Sequence, residues 1–226
     1  MDAKTNNHMQ QNNIKFWINL SIVIFFVLCF FIILYFVVRF DSLQMDTYFY
    51  NIFHDKIESE FMTSFYKIFT YLGSFYTLMI IALLMLIVLK NKKLGIGLSV
   101  NLIIVGVLNV LLKIIVRRPR PEDINIITES GFSFPSGHAM MSIALYGMLI
   151  YFVYKFIKNK GLKIFLMILL GALILLIGAS RIYLGVHYFS DVLAGYLIGY
   201  AILSGNIFIF NCLYDFKFNR LLSNKR

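Results

Sequence analysis

The chain has 226 residues, of which 60% are hydrophobic and only 14% charged, with a formal net charge of +10. A soluble domain of this size cannot bury that much apolar side chain in one core, so an ordinary globular domain is excluded. The cations collect in short segments between apolar runs, where they report membrane topology and contact with anionic headgroups rather than a nucleic-acid-binding face.

In chain order, residues 1–13 form a polar leader, 14–213 a single transmembrane domain and 214–226 a basic cytoplasmic tail. The first apolar run, 14–38, is longer than a signal core and no small-residue cleavage site follows it, so it reads as a span. An acidic connection follows over 39–64. Within it Phe49, Phe53, Ile57 and Phe61 recur every four residues, with Asp55, Glu58 and Glu60 between them. That period predicts an amphipathic helix, lying along the membrane surface or packed as a rim on the helix bundle.

Further apolar runs occupy 65–89 and 94–116. The connection from 117 to 137 then holds every proline of the chain, Pro119, Pro121 and Pro135, which keeps Arg118 and Arg120 non-helical. The last runs are 139–154, the shortest, then 164–184 and 192–213. Crossing a hydrocarbon core of about 30 Å takes roughly 18–20 apolar residues, so the expected fold is all-α, a polytopic bundle of six transmembrane helices. Cys29 and Cys212 both lie in apolar runs and lack metal-ligand spacing.

Six spans place the two termini, the turn near residue 91 and the turn near residue 159 on one side. That side carries thirteen cations against Asp2 and Asp215, whereas the other carries eight cations against nine acids. Positive charge gathers on cytoplasmic loops, so both termini are expected inside a multi-pass plasma-membrane protein.

Three segments place ionisable groups beside spans, and all fall at outer helix ends. A charge at a helix centre costs roughly 2.5–3.5 kcal/mol, so such groups call for a function. Lys113 and Arg120 bracket the first segment, Pro135-Ser136-Gly137-His138 is the second, and Ser180-Arg181 with His187 and Asp191 the third. Lys113, Arg120 and Arg181 are enough cation for one phosphate group. Ser136 is a natural N-cap, and Gly137 lets a ligand approach a helix N-terminus, a ready anion site. His138 is placed to donate a proton to a leaving oxygen. His187 and Asp191, four residues apart, share a helix face, so the carboxylate can hold one imidazole nitrogen and leave the other as a nucleophile. Gly185 offers the turn that brings Arg181 and His187 together. His8 and His54 have no such context.

These segments resemble the three-part signature of the phosphatidic acid phosphatase type 2 superfamily: Lys-x6-Arg-Pro, Pro-Ser-Gly-His and Ser-Arg-x5-His-x3-Asp. Every position is present in order between Lys113 and Asp191, about a third of the chain. Only Arg120 stands at the family spacing from Lys113, so Arg118-Pro119 reads as a decoy. The resemblance implies a membrane lipid phosphatase without metal or cofactor. In it His187 attacks phosphorus, Asp191 holds His187, and His138 protonates the leaving oxygen. Lys113, Arg120, Ser136, Gly137, Ser180 and Arg181 would bind the phosphate. The implied partners are a lipid phosphate in the outer leaflet and the bilayer itself, with no nucleic acid. Resemblance to short bacterial members ranks undecaprenyl diphosphate first, phosphatidylglycerophosphate second and phosphatidic acid third.

Four rivals are weaker. A vanadate haloperoxidase would share the anion pocket, but such proteins are soluble in kind. A lipid phosphotransferase would use the same phosphoenzyme and differs only in the acceptor. A transporter places its charges near the bilayer midplane, often between repeats, and neither feature is visible. A silent lipid-binding scaffold has no need of both histidines and the aspartate.

Overall fold

Within a bilayer every backbone N–H and C=O needs an internal partner, and a run of helix-length apolar residues meets that demand by forming a helix. The computed structural model describes residues 3–40, 43–57, 59–89, 91–121 and 125–223, with side chains for 14–53 and 59–211 within those ranges. All regular structure among them is helical. The helices are α1 (Ala3–Arg39), α2 (Gln44–Ile57), α3 (Glu60–Leu72), α4 (Phe75–Val88), α5 (Lys92–Val116) and α6 (Gly137–Ser142). A π-helical turn (Ile143–Gly147) joins α6 to α7 (Met148–Phe156), and α8 (Lys160–Tyr183) and α9 (Phe189–Ser223) complete the bundle. The side chains of His8, His54 and Cys212, and of the expected leader and tail, lie outside the described residues.

Among the described residues, five helices are long and apolar enough to cross a membrane: Ile14–Arg39, Lys92–Val116, Gly137–Phe156, Lys160–Tyr183 and Phe189–Asn211. The pair α3–α4, bent by 47° at its break, meets the same test when taken together and then makes a sixth. Gly73 caps α3, its N–H reaching the carbonyls of Phe69 and Thr70, and the Ser74 hydroxyl accepts from the Thr77 N–H to open α4. The chain thus makes the expected all-helical bundle, with five unbroken candidate spans among the described residues and the expected second one broken. A Cβ at Gly73 would lie 2.4 Å from the Ile177 side chain and 3.1 Å from the His138 ring, so α8 and α6 press directly on the break.

The short fourth run is the central one: 56% of the Gly137–Phe156 window is buried, against 17% for Ile14–Arg39 and for Lys160–Tyr183. Leu98, Leu102 and Val105 of α5 close around it with Ile177 of α8 and Ala194 of α9. Asn101, fully buried on α5, donates to the Ala144 carbonyl at 2.8 Å and accepts from Asn206 at 2.6 Å. The π-turn disturbs the regular helix bonding there, and the Asn101 amide supplies a donor to one of its carbonyls, as a hydrocarbon interior favours.

The amphipathic helix expected in the first outer connection is α2 as far as Ile57, a rim on the bundle; Phe61, the last residue of the expected period, instead falls in the first turn of α3, which Ser59 caps, and is exposed. Phe49 stacks on Phe189 with ring centroids 3.8 Å apart, and Phe53 meets Tyr66 and Tyr183 edge-on. Asp46, in the first turn of α2, is buried against the start of α9.

Candidate active site

Four helix ends meet at one end of the bundle: the C-termini of α5 and α8 and the N-termini of α6 and α9. The lysine-rich starts of α5 and α8 and the end of α7 lie at the opposite end. At the close of α5, Arg117 adopts a left-handed conformation (φ 53°) and its N–H donates to the Lys113 carbonyl. The chain then leaves the helix through two Arg-Pro pairs. Lys113, in the last turn, donates its Nζ to the Phe132 carbonyl. Arg120 is anchored by three carbonyls: its Nε donates to Gly131 at 3.0 Å, Nη2 to Ser130 at 3.2 Å and Nη1 to Val186 at 2.7 Å.

The second segment is seated from below by Asn109, whose Nδ2 donates to the Pro135 carbonyl at 3.0 Å. The Ser136 hydroxyl caps α6 by accepting from the Ala139 N–H, and the Ser136 N–H donates to the Asp191 carbonyl at 3.0 Å. At the end of α8, Ser180 donates its hydroxyl to the Ile177 carbonyl. Arg181, 1% exposed, donates Nη2 to Glu129 at 2.7 Å and Nη1 to the Thr70 hydroxyl. Its Nε has no partner among the described residues. A buried permanent cation with an open donor is a strong demand for an anion.

Gly185 takes φ 71° in the turn after α8, where an L side chain would be strained, and the turn delivers His187. The His187 Nε2 lies 3.3 Å from Arg120 Nη1, while Nδ1 lies 3.4 Å from both Asp191 Oδ2 and the Ser133 hydroxyl. Asp191 is fully buried and receives Arg118 Nη1 on Oδ1 at 2.6 Å, and the Tyr188 N–H at 2.9 Å with the Ser133 hydroxyl on Oδ2.

Electrostatics follow from burial. Desolvation lowers the His187 imidazole to about 3, against the upward pull of Asp191, so the ring is neutral at physiological pH and Nε2 offers a lone pair. Burial favours a neutral Glu129 carboxyl, yet Arg181 and Arg120 outweigh it and hold the group below the usual carboxylate range. For Arg118 burial opposes the charge, and Asp191 with Asp46 reverses that, raising the guanidinium above its ordinary value.

A cavity of about 600 Å³ opens at this point. Its polar end is lined by Lys113, Arg120, Glu129, Gly137, His138, Arg181 and His187. Its other end is an apolar groove between α4 and α5, formed by Phe75, Met79, Leu102, Ile103, Val107 and Val110. Six residues singled out from the sequence therefore meet around one space. Asp191 stands behind His187 rather than in the lining. Ser136 and Ser180 do not line the cavity either; both hydroxyls are fully buried and bonded within their own helix ends.

Sequence reasoning missed Glu129, Ser133, Asn109 and Asp46, and it set Arg118 aside. Arg118 indeed lies outside the cavity lining, but it is buried and held by two carboxylates. A buried arginine needs such partners, yet neither carboxylate is near it in sequence, so spacing carried no signal. Asn109, one turn before Lys113, was the more visible of the others, since an amide inside an apolar span needs a polar partner.

Comparison with known proteins supplies a family and a fold. Residues 94–215 match the PAP2 superfamily. Phosphatidylglycerophosphatase B of Bacillus subtilis (strain 168) is 42% identical over 94 residues, 41% of this chain. The match spans 46% of that protein, so the chain covers about half the length of this curated relative. The crystal structure of a transmembrane PAP2-type phosphatidylglycerolphosphate phosphatase from Bacillus subtilis superposes with a TM-score of 0.75 at 26% identity, covering 85% of this chain and 96% of that one. LpxE of Aquifex aeolicus gives a TM-score of 0.61 at 28% identity over 75% of this chain and 97% of its own.

Proposed function

The chain belongs to the PAP2 superfamily, and on that premise we propose that it is a membrane lipid phosphatase working through a phosphohistidine. The observation that carries the reading is the position of neutral His187. Its Nε2 faces a cavity lined by three cations at one end and by an apolar groove at the other. A phosphate carried on a lipid satisfies both ends at once: headgroup on the cations, chain in the groove.

In the first step the Nε2 lone pair attacks phosphorus in line, the N–P bond forms and the P–O bond to the leaving group breaks. Asp191, acceptor-only and held by three other donors, keeps the Nδ1 proton in place while the ring becomes positive. His138, at the start of α6, supplies the proton to the leaving oxygen, a contribution of about 10²–10⁴-fold in comparable reactions. Lys113, Arg120 and Arg181 hold the equatorial oxygens, with the N-terminus of α6 at Ser136 and Gly137 adding backbone dipole. Ser180 contributes by fixing the end of α8. In the second step water attacks the phosphohistidine, His138 takes its proton, and phosphate leaves.

The substrate we favour is phosphatidylglycerophosphate, in support of which stand the relatives' names, with undecaprenyl diphosphate, first in the ranking from sequence, now second and phosphatidic acid third. The charge asymmetry supports an active site on the extracytoplasmic side of the plasma membrane, with both termini inside. The test is phosphate release by purified protein from a panel of glycerol and prenyl phosphates, run beside His187→Ala. Release should vanish in the variant together with covalent labelling by substrate phosphate. A variant that still turned over at the wild-type rate would sink the nucleophile assignment, and a phosphorylated lipid acceptor in place of free phosphate would mean transfer.

A further inference from the structure

Behind the nucleophile lies a buried ionic cluster for which neither substrate binding nor proton transfer accounts. Arg118 is 6% exposed and stands outside the cavity lining. Its Nη1 donates to Asp191 Oδ1 at 2.6 Å and to the Ser190 hydroxyl at 2.7 Å, and its Nη2 donates to Asp46 Oδ2 at 2.8 Å. The Tyr188 ring covers the guanidinium at 4.0 Å. Asp46 also accepts from the Ser190 N–H and hydroxyl, both at 2.8 Å, so it caps α9 while it holds Arg118.

We propose that Arg118 is a positioning residue for the nucleophilic histidine, acting through Asp191, and that Asp46 of the rim helix α2 holds Arg118 in place. The proposal rests on the phosphatase reading above. Two physical arguments carry it. The first is geometric. With Arg118 on Oδ1 and both Ser133 and the Tyr188 N–H on Oδ2, the plane of the Asp191 carboxylate is fixed and Oδ2 stays beside His187 Nδ1. The Ser133 N–H donates to the Arg118 carbonyl at 2.9 Å, so the two side chains that hold Asp191 are also joined through backbone.

The second argument is charge. Asp46, Asp191 and Arg118 together carry one net negative charge in a dry environment. When His187 becomes phosphorylated on Nε2 with its Nδ1 proton retained, the ring gains one positive charge. The cluster complements that charge as it forms, and complementing the transition state is what raises turnover. A bidentate guanidinium can bridge two carboxylates, whereas a lysine ammonium cannot reproduce the fork.

The experiment uses Arg118→Lys, Asp46→Asn, Asp191→Asn and the double variant Arg118→Lys/Asp191→Asn, each purified in detergent with its thermal unfolding recorded. Single-turnover phosphoenzyme formation and steady-state kinetics are measured on the same samples. Arg118→Lys should lower kcat and phosphoenzyme formation together by about tenfold or more, with KM within about twofold. Asp46→Asn should act in the same direction to a smaller extent, since the amide oxygen can still accept from the Ser190 N–H. Because Arg118 works through Asp191, the double variant should be no slower than Asp191→Asn alone.

Three outcomes would overturn the proposal: a lowered melting temperature with wild-type kcat, a raised KM with kcat intact, or a full further loss in the Asp191→Asn background. If Arg118→Lys fails to fold, Asp46→Asn decides by the same readouts. A wild-type protein that releases no phosphate from any substrate would instead remove the phosphatase reading itself.

Discussion

At the scale of single residues, the protonation state of His187 is the point on which chemistry and stability meet. Burial lowers its folded pKa to about 3 from an ordinary 6.5, so the unfolded chain binds a proton there first as pH falls. The group's contribution to stability is therefore complete above pH 6.5 and is lost progressively as pH falls towards 3. Within that window the loss approaches about 1.4 kcal/mol per pH unit for one proton. Melting temperature in detergent should fall between pH 6.5 and 4, and the fall should be shallower in His187→Asn, which cannot take up the proton. Identical slopes in the two proteins would contradict a buried neutral imidazole. Residues such as Lys113, Arg120, His187 and Asp191 were legible in sequence because their relation is local: a count of steps along a helix or past a proline. The partners of Asp191 were not. Ser133 lies 58 positions away and Arg118 lies 73 away, while Asp46 reaches Ser190 across 144. No period or spacing links such pairs, and only the closing of the bundle brings them together.

At the scale of helices, the break between α3 and α4 shows what a continuous apolar run conceals. Hydropathy reads residues 65–89 as one span, because lipid tails do not distinguish a straight helix from a bent pair. The bend is set by contact: Gly73 has no side chain where Ile177 of α8 and the His138 ring of α6 approach. Gly73→Ala should therefore cost stability by about 1–3 kcal/mol through overpacking, and it should lower kcat by displacing His138. Ile177→Ala in the same chain should recover part of the melting temperature, since it removes the atom 2.4 Å from the new methyl group. Unchanged melting and turnover in the single variant would show that the break does not constrain the site. The rim helix α2 gives the reverse lesson. Its four-residue period named it as amphipathic, but the apolar face alone does not choose between lipid and protein. The stack of Phe49 on Phe189 and the burial of Asp46 choose protein.

At the scale of the whole molecule, the helix bundle follows from the bilayer, because crossing it is a one-dimensional demand on length and polarity that a sequence displays openly. The apolar groove beside the cations is a three-dimensional property of two helices, α4 and α5, and their sequences look alike on outward-facing and groove-facing sides. Gly106 lines this groove, and nothing lies within 4 Å of where its Cβ would stand. Filling that space tests whether lipid chains use it. Gly106→Leu inserts a side chain into open volume, so folding should be little affected and a helix-favouring residue replaces glycine. Its KM for a long-chain lipid phosphate should rise by about tenfold, because the chain must then bind outside the groove. For a water-soluble short-chain phosphate, which reaches the cations without occupying the groove, the rise should stay below about twofold. An equal rise for both substrates would place the effect at the phosphate end, and no rise for either would mean that the lipid enters between other helices.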